Sequence, residues 1–279
     1  MSFAQDYLDR LAPFAANLPR VRALHLPPIE AAGSKNGEFC ALELEDGALG
    51  LAYVLLDDTL RQLIDRRDAL GLAGMDAMGL ARAYVDGVGV QRTLGFAAAN
   101  AITRHLFDQA GYVAPDSADS IGGLDPVPGD HVGMIGFFRP LAARIVASGA
   151  HLSVVELKAD LAGEQDGYTV TTDASVLREC NKVMTTSTLL LNDTLDRMAG
   201  LWSGAQRVAM IGPSAGCLPD PLFARGVTLV GGTWIEDGPA FVEALRAGEG
   251  WSRHARKCAI TPADYPGWDA LRARLKSAG

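Results

Sequence analysis

Residues 131–156, HVGMIGFFRPLAARIVASGAHLSVVE, contain two apolar runs separated by a helical pattern. The run from His131 to Phe137 predicts a strand, and Arg139-Pro140 opens a helix with proline in the first turn, where its missing N–H costs nothing. Gly149 ends that helix before a second strand, predicted over His151–Val155. This order of elements indicates two parallel strands joined by a crossover helix.

The same alternation continues toward the C-terminus. Further strands are predicted at Lys182–Thr186, Arg207–Ile211 and Val227–Val230. Helices are predicted over Ala174–Cys180 after Asp173, from about Asp193 to Trp202, and from Asp237 and Pro239 to near Gly248. Five strands with helices between them describe a Rossmann-like, doubly wound parallel sheet.

The first part of the chain has a different pattern, in which three strands precede three helices. The strands are predicted at Val21–Leu26, Phe39–Leu44 and Leu49–Leu55, and the helices at Leu60–Leu70, Ala77–Val85 and Thr93–Gln109. Turn-forming residues dominate the segment that follows. We therefore predict an α/β chain with an α+β domain at 1–112, a linker at 113–130 and a Rossmann-like domain at 131–279.

Composition restricts the classes of function. The chain has 33 acidic and 25 basic residues, a net charge of −8, which argues against binding to nucleic acid. No apolar run is long enough to span a membrane, and the acidic N-terminus does not resemble an export signal, so we expect a cytoplasmic protein. The four cysteines form no CxxC pair and are expected to be reduced thiols, and a homodimer is the commonest assembly.

Three loops at the predicted carboxyl ends of strands are candidate ligand sites. The first contains Gly136, Phe137 and Arg139, and Glu156 follows the next strand at the position of a ribose-binding carboxylate. The GxGxxG motif of dinucleotide sites is absent, and both glycines of the first loop also suit close strand–helix packing. A ligand with an adenosine or another small polar part stays open.

The second loop carries Thr186, Asn192 and Thr194, whose side chains could hold an anionic or carbonyl ligand. Capping of the next helix by Asn192 or Asp193 is the structural alternative.

The third loop contains Gly212 and Ser214 in a G-x-S-x-G pattern, followed by Asp220, Asp237 and His254 in the order of an α/β-hydrolase. Prolines 219 and 221 interrupt the helix that a nucleophilic serine would need, which favours a phosphate- or carboxylate-binding turn. Cys217 beside this turn is either a metal-binding or nucleophilic thiolate or a small buried thiol.

Two polar residues in the last helix of the first part, Arg92 and Asn100, could face a cleft between the domains. A structural role for Asn100 is the alternative.

These segments together resemble a known family, the bacterial and archaeal heavy-metal chelation proteins. The resemblance is carried by residues 133–141, by the Thr185–Thr194 segment, by Ile211–Ala215 before Pro219, and by the Arg92–Ala101 helix. It implies an enolase N-terminal-like domain followed by a Rossmann-like domain. It also implies a site between the two domains, near Gly136, Glu156, Asn192 and Ser214.

We therefore expect a protein that binds a small polar ligand or a chelated heavy or transition metal in an interdomain cleft, in metal homeostasis or metallophore metabolism. If metal binds directly, Cys217 and Glu156 are the first candidate ligands, because thiolate and carboxylate suit zinc or a similar ion. The alternative is an enzyme acting on a nucleotide-like or amino-acid-derived substrate, including an S-adenosylmethionine-type ligand. A serine hydrolase is a further alternative.

Overall fold

The N-terminal part of the chain forms a small antiparallel sheet covered by helices, as the sequence predicts. The computed structural model describes residues 1–117, 121–157 and 159–277. Its first strands are β1 (Val21–His25), β2 (Phe39–Leu44) and β3 (Leu49–Tyr53), which pair in that order. The helices here are α1 (Phe3–Leu11), α2 (Thr59–Asp65), α3 (Ala77–Asp86) and α4 (Val90–Gln109).

Helix α4 is the centre of this part because its small residues let it approach other backbones closely. A Cβ atom added at Gly95 would lie 2.2 Å from the backbone nitrogen of Tyr84 in α3. One added at Gly50 in β3 would lie 2.2 Å from the backbone oxygen of Ala97 in α4. Glycine is therefore required at both contacts.

The second part of the chain forms a larger sheet. Its strands are β4 (His131–Ile135), β5 (His151–Val155), β6 (Gly163–Gln165), β7 (Tyr168–Thr171), β8 (Lys182–Thr186), β9 (Arg207–Ile211), β10 (Leu229–Ile235) and β11 (Ala255–Ile260). Their order is β11-β10-β9-β8-β4-β5-β7-β6. The strands from β10 to β7 are parallel, and β11 and β6 pair antiparallel at the two edges.

This topology confirms the Rossmann-like prediction. Numbered along the chain, the parallel strands β4, β5, β7, β8, β9 and β10 lie in the order 3-2-1-4-5-6, which is the order of dinucleotide-binding folds. The helices of this part are α5 (Arg139–Ala147), α6 (Leu195–Ala199), α7 (Asp220–Phe223), α8 (Gly238–Ala247) and α9 (Trp268–Ser277).

The structure corrects the prediction of five strands in this sheet. Strands β6, β7 and β11 lack a predicted counterpart. The edge strands β6 and β11 and the four-residue β7 beside β6 contain too few buried residues to show a strong apolar pattern. Strand β10 continues through Gly231-Gly232 to Ile235, beyond the predicted end at Val230, since glycine has a low strand propensity. The predicted helix after Asp173 is a 3₁₀ helix, Ala174–Glu179.

Apolar side chains cover both faces of the larger sheet, as a parallel sheet requires. One cluster includes Val132 and Met134 of β4 and Ile145 of α5. The other joins the two parts of the chain, since Leu11 and Ile102 belong to the same buried cluster as Leu222. The N-terminal helices and the larger sheet therefore share a hydrophobic core.

Much of the predicted linker at 113–130 is fixed to the larger sheet. Asp116 forms an isolated bridge with Cys258, and the buried Lys182 Nζ lies 2.6 Å from Asp130 Oδ2 and donates to the Asp125 carbonyl. Residues 118–120 of this predicted linker lie outside the described residues. Within the described ranges, no helix combines the length and apolar character needed to cross a bilayer.

Candidate functional site

A cavity of about 500 Å³ opens at the centre of the larger sheet, where β4 and β8 are neighbours. The chain leaves these two strands in opposite directions along the sheet, β4 toward β5 and β8 toward β9. Such a switch point leaves a crevice beyond the carboxyl ends of the strands, which is where ligands bind in open α/β sheets. We call this cavity the cleft.

Seven of the predicted ligand-binding residues line the cleft: Gly136, Phe137, Glu156, Thr186, Asn192, Thr194 and Gly212. The opposite wall comes from the β2–β3 hairpin and the segment after it, with Glu38, Phe39, Tyr53, Leu55 and Leu56. The cleft thus lies between the small sheet and the larger sheet.

The turn after β4 is held by its own hydrogen bonds. Gly136 has a φ of 83°, and its N–H donates to the Val155 carbonyl. The next N–H, that of Phe137, donates to Glu156 Oε2 at 3.2 Å, and Glu156 Oε1 accepts from Leu157 N at 2.8 Å. The carboxylate of Glu156 therefore lies at the turn that begins helix α5.

The loop after β8 presents hydroxyl and amide groups to the cleft. Thr186 Oγ1 accepts from Thr188 N and lies 3.0 Å from Thr188 Oγ1. Asn192 Oδ1 accepts from both the N–H and the hydroxyl of Thr194. Asn192 therefore shapes the loop before α6, which begins at Leu195, rather than capping that helix directly.

The loop after β9 is joined to the loop after β8 by a contact between two serine side chains. Ser214 is fully buried, and its Oγ lies 2.9 Å from the Oγ of Ser187, which lines the cleft. Helix α7 begins at Asp220, so Ser214 does not stand at the sharp strand-to-helix turn of a serine hydrolase. In the described part of the chain its hydroxyl pairs with another serine and not with an imidazole.

Three further predicted residues lie outside the cleft. Asn100 is buried and donates to the carbonyls of Leu51 and Ser214, so it joins α4 to β3 and to the loop after β9. Arg92 forms an ion pair with Asp193 at 3.0 Å. The guanidinium of Arg139 lies 4.9 Å from the centre of the Phe137 ring, next to the cleft wall.

The structure does not bring the two candidate metal ligands together. Cys217 lines a second cavity of about 40 Å³ beside Asn100, whereas Glu156 lines the cleft. Burial raises the pKa of the Cys217 thiol to about 12, so the thiolate form is disfavoured. Among the residues that the structure describes, no three His, Cys, Asp or Glu side chains form a group that could hold a metal ion.

The hairpin wall supplies two polar residues that the sequence analysis did not identify, Glu38 and Tyr53. Burial raises the pKa of the Glu38 carboxyl, and Lys35 opposes this effect. Burial also raises the pKa of Tyr53, and the charges of Glu38 and Glu156 raise it further. Tyr53 is therefore within electrostatic reach of both carboxylates. No local motif marks Glu38 or Tyr53, because only the tertiary fold brings the hairpin over the strand ends.

Known families match both parts of this chain. A family model described as "Putative heavy-metal chelation" (DUF364) matches residues 121–263, and a second model with the same description (DUF4213) matches residues 37–103.

Individual relatives agree with this match. An uncharacterized protein of Methanocaldococcus jannaschii is 30% identical over 152 residues, which are 53% of this chain and 56% of that protein. The match thus spans little more than half of the relative. A crystal structure of a DUF364 protein of unknown function from Desulfitobacterium hafniense aligns with a TM-score of 0.65 at 18% identity, over 92% of this chain and 98% of that one. A second, from Pyrococcus horikoshii, aligns with a TM-score of 0.57 at 21% identity, over 91% and 99% of the chains.

Proposed function

Since this chain belongs to the DUF364 family, whose model is described by heavy-metal chelation, we propose that it binds a small polar organic ligand, including one that carries a chelated transition metal, in the cleft. The single observation that carries the proposal is the cavity of about 500 Å³ at the switch point of a 3-2-1-4-5-6 sheet. We place this activity in metal homeostasis or metallophore metabolism.

A chelate suits the cleft better than a bare transition-metal ion. Two carboxylates, Glu38 and Glu156, line it, but none of its described lining residues is a histidine or a cysteine. Zinc, copper and nickel are held in proteins mainly by imidazole and thiolate ligands. A metal in this cleft would therefore bring most of its ligands on an organic molecule, which the volume and the polar walls can accommodate.

Native mass spectrometry of protein purified without added metal or chelator tests the proposal, together with elemental analysis of the same sample. We expect a retained organic mass, with or without transition metal. Leu56→Trp should displace it, because Leu56 is half-buried and lines the cleft. Leu70→Trp is the matched control, at a half-buried leucine that does not line it. Equal retention by both variants would contradict binding in the cleft.

A second candidate function is that of an enzyme acting on an adenosine-type ligand, and the position of Glu156 favours it. It follows β5, the second strand of the sheet, where Rossmann folds place the carboxylate that binds ribose hydroxyls. S-adenosylmethionine is the first probe for calorimetric titration. Glu156→Ala should weaken its binding at least tenfold if ribose recognition is correct, and unchanged binding would remove this candidate.

From the sequence we also propose a homodimer in the cytoplasm. Light scattering coupled to size-exclusion chromatography tests the dimer, and a mass of one chain would contradict it.

A further inference from the structure

The turn after β4 differs from a phosphate-binding turn in what its N–H groups contact. In dinucleotide folds these N–H groups and the start of the following helix hold the ligand's phosphates. Here Gly136 N donates to Val155 O, and Phe137 N donates to the Glu156 carboxylate at 3.2 Å. Pro140, in the first turn of α5, has no N–H to offer. The protein's own carboxylate therefore occupies the place where a ligand anion would be held.

The opposite wall adds a second negative charge. Glu38 is half-buried, and burial raises the pKa of its carboxyl more than the charge of Lys35 lowers it, so a further cation beside it would replace the lost hydration. Glu38, Tyr53 and Glu156 all line the cleft, and the pKa of Tyr53 is raised by burial first and then by the charges of the two carboxylates. None of the described residues that line the cleft is a lysine, an arginine or a histidine.

Aromatic rings form much of the remaining wall. Phe39 and Tyr53 pack edge to face with ring centres 5.7 Å apart, and Phe137 and Phe138 line the other side. The faces of aromatic rings attract cations. The ring of Phe137 already makes such a contact with the Arg139 guanidinium, 4.9 Å from its centre.

We infer that the cleft selects ligands of net positive charge, namely a cationic metal complex or an organic cation, and excludes phosphorylated ones. This inference rests on the proposed function, because it assigns a charge class to the ligand of the same cleft. It separates this chain from dinucleotide-binding proteins that share its strand order, since their switch point holds a pyrophosphate.

Two inert cobalt complexes of similar size and opposite charge test the inference: hexaamminecobalt(III), a cation, and hexacyanocobaltate(III), an anion. Calorimetric titration at about physiological ionic strength limits weak surface attraction. We expect the cation to bind and the anion to bind at least tenfold more weakly. Leu56→Trp should abolish the binding of the cation, because it fills the cleft.

Glu38→Gln should weaken the binding of the cation about tenfold, since it removes one charge and keeps the shape of the side chain. The matched control is Glu249→Gln, at an exposed glutamate that does not line the cleft. This variant should bind the cation like the wild type. Equal affinity for the two complexes, or equal loss in the two variants, would overturn the inference. Glu156→Gln serves as the second variant if Glu38→Gln does not fold.

The two proposals fail in different ways. If the wild-type protein retains an organic mass that Leu56→Trp displaces, but hexaamminecobalt(III) does not bind, the cleft is a ligand site and the charge inference is wrong. If no mass is retained and neither complex binds, both proposals fall.

Discussion

The turn after β4 and the loop after β9 have similar sequence signals but different structures. Each follows a central parallel strand, and each contains a glycine at positive φ, 83° at Gly136 and 150° at Gly212. The β4 turn faces a cavity of about 500 Å³. Gly212, at the start of the β9 loop, also lines this cavity, but Ser214 of that loop is buried and bonds to Ser187 and Asn100. Glycine and hydroxyl residues at a strand end therefore do not by themselves distinguish an open site from a closed one.

The difference arises from what packs over each loop. Helix α4 reaches the β9 loop and supplies the Asn100 amide, which donates to the Ser214 carbonyl at 3.1 Å. Over the β4 turn, the neighbouring element is the β2–β3 hairpin, and the cleft separates the two. Changes at the closed loop should therefore reduce stability, and changes at the open turn should reduce binding.

The largest expected effect is the loss of Asn100. Asn100→Ala leaves the buried carbonyls of Leu51 and Ser214 without their donor and leaves a cavity, so we expect a loss of about 3 kcal/mol in the free energy of unfolding. Denaturation by urea measures it. Thr194→Ala, at the open side, is the comparison, and we expect it to cost about 1 kcal/mol or less. Equal costs would mean that the two loops do not differ in this way.

Asp130, at the amino end of strand β4, extends the comparison to a buried charge that is paired with Lys182. Hydrogen bonds from Lys182, Asn181 and the Val127 N–H lower the pKa of Asp130 from 3.8 to about 2. Because the pKa in the folded state lies below its ordinary value, this group stabilises the fold above about pH 4. That stability is lost as pH falls through about 2.

Urea midpoints measured between pH 5 and pH 2 for the wild type and Asp130→Asn check this dependence. We expect the wild type to lose more stability than the variant over the acid part of the range, roughly between pH 4 and pH 2. Parallel curves would show that Asp130 does not contribute.

The smallest expected effect is the reaction of the Cys217 thiol with a thiol reagent. Its thiol is buried and has a pKa of about 12, so a thiol reagent should modify it at pH 7 only as fast as the protein opens. Mass spectrometry after timed labelling, with peptide mapping, measures the rate at this site. Rapid modification of the folded protein would assign an accessible thiolate to the β9 loop and would bring back the metal-ligand hypothesis for Cys217.

The sequence predicts the central strands well because they are buried on both faces. The strands predicted at His151–Val155, Lys182–Thr186 and Arg207–Ile211 have the same bounds in the structure. The edge strands β6 and β11 are missed, since a segment that pairs on one side need not be apolar. The order of the strands also comes only from tertiary pairing.

The candidate site is predicted only in part, for a similar reason. Rules for the carboxyl ends of parallel strands identify Gly136, Glu156 and Thr186, which line the cleft. Glu38 and Tyr53 belong to a separate sheet, and their position over the cleft depends on how the two sheets pack. The sequence analysis also proposed Cys217 as a metal ligand, because it lies in a loop that follows a strand end. This loop turns inward, and both Ser214 and Cys217 are buried.

Native mass spectrometry of two variants side by side tests the central claim, that the cleft and not the small cavity beside Cys217 is the ligand site. Leu56→Trp fills the cleft, and Cys217→Ser changes the small cavity of about 40 Å³ beside the β9 loop. The account predicts that Leu56→Trp loses the organic mass retained by the wild type and that Cys217→Ser keeps it. Retention by Leu56→Trp together with loss from Cys217→Ser would contradict it.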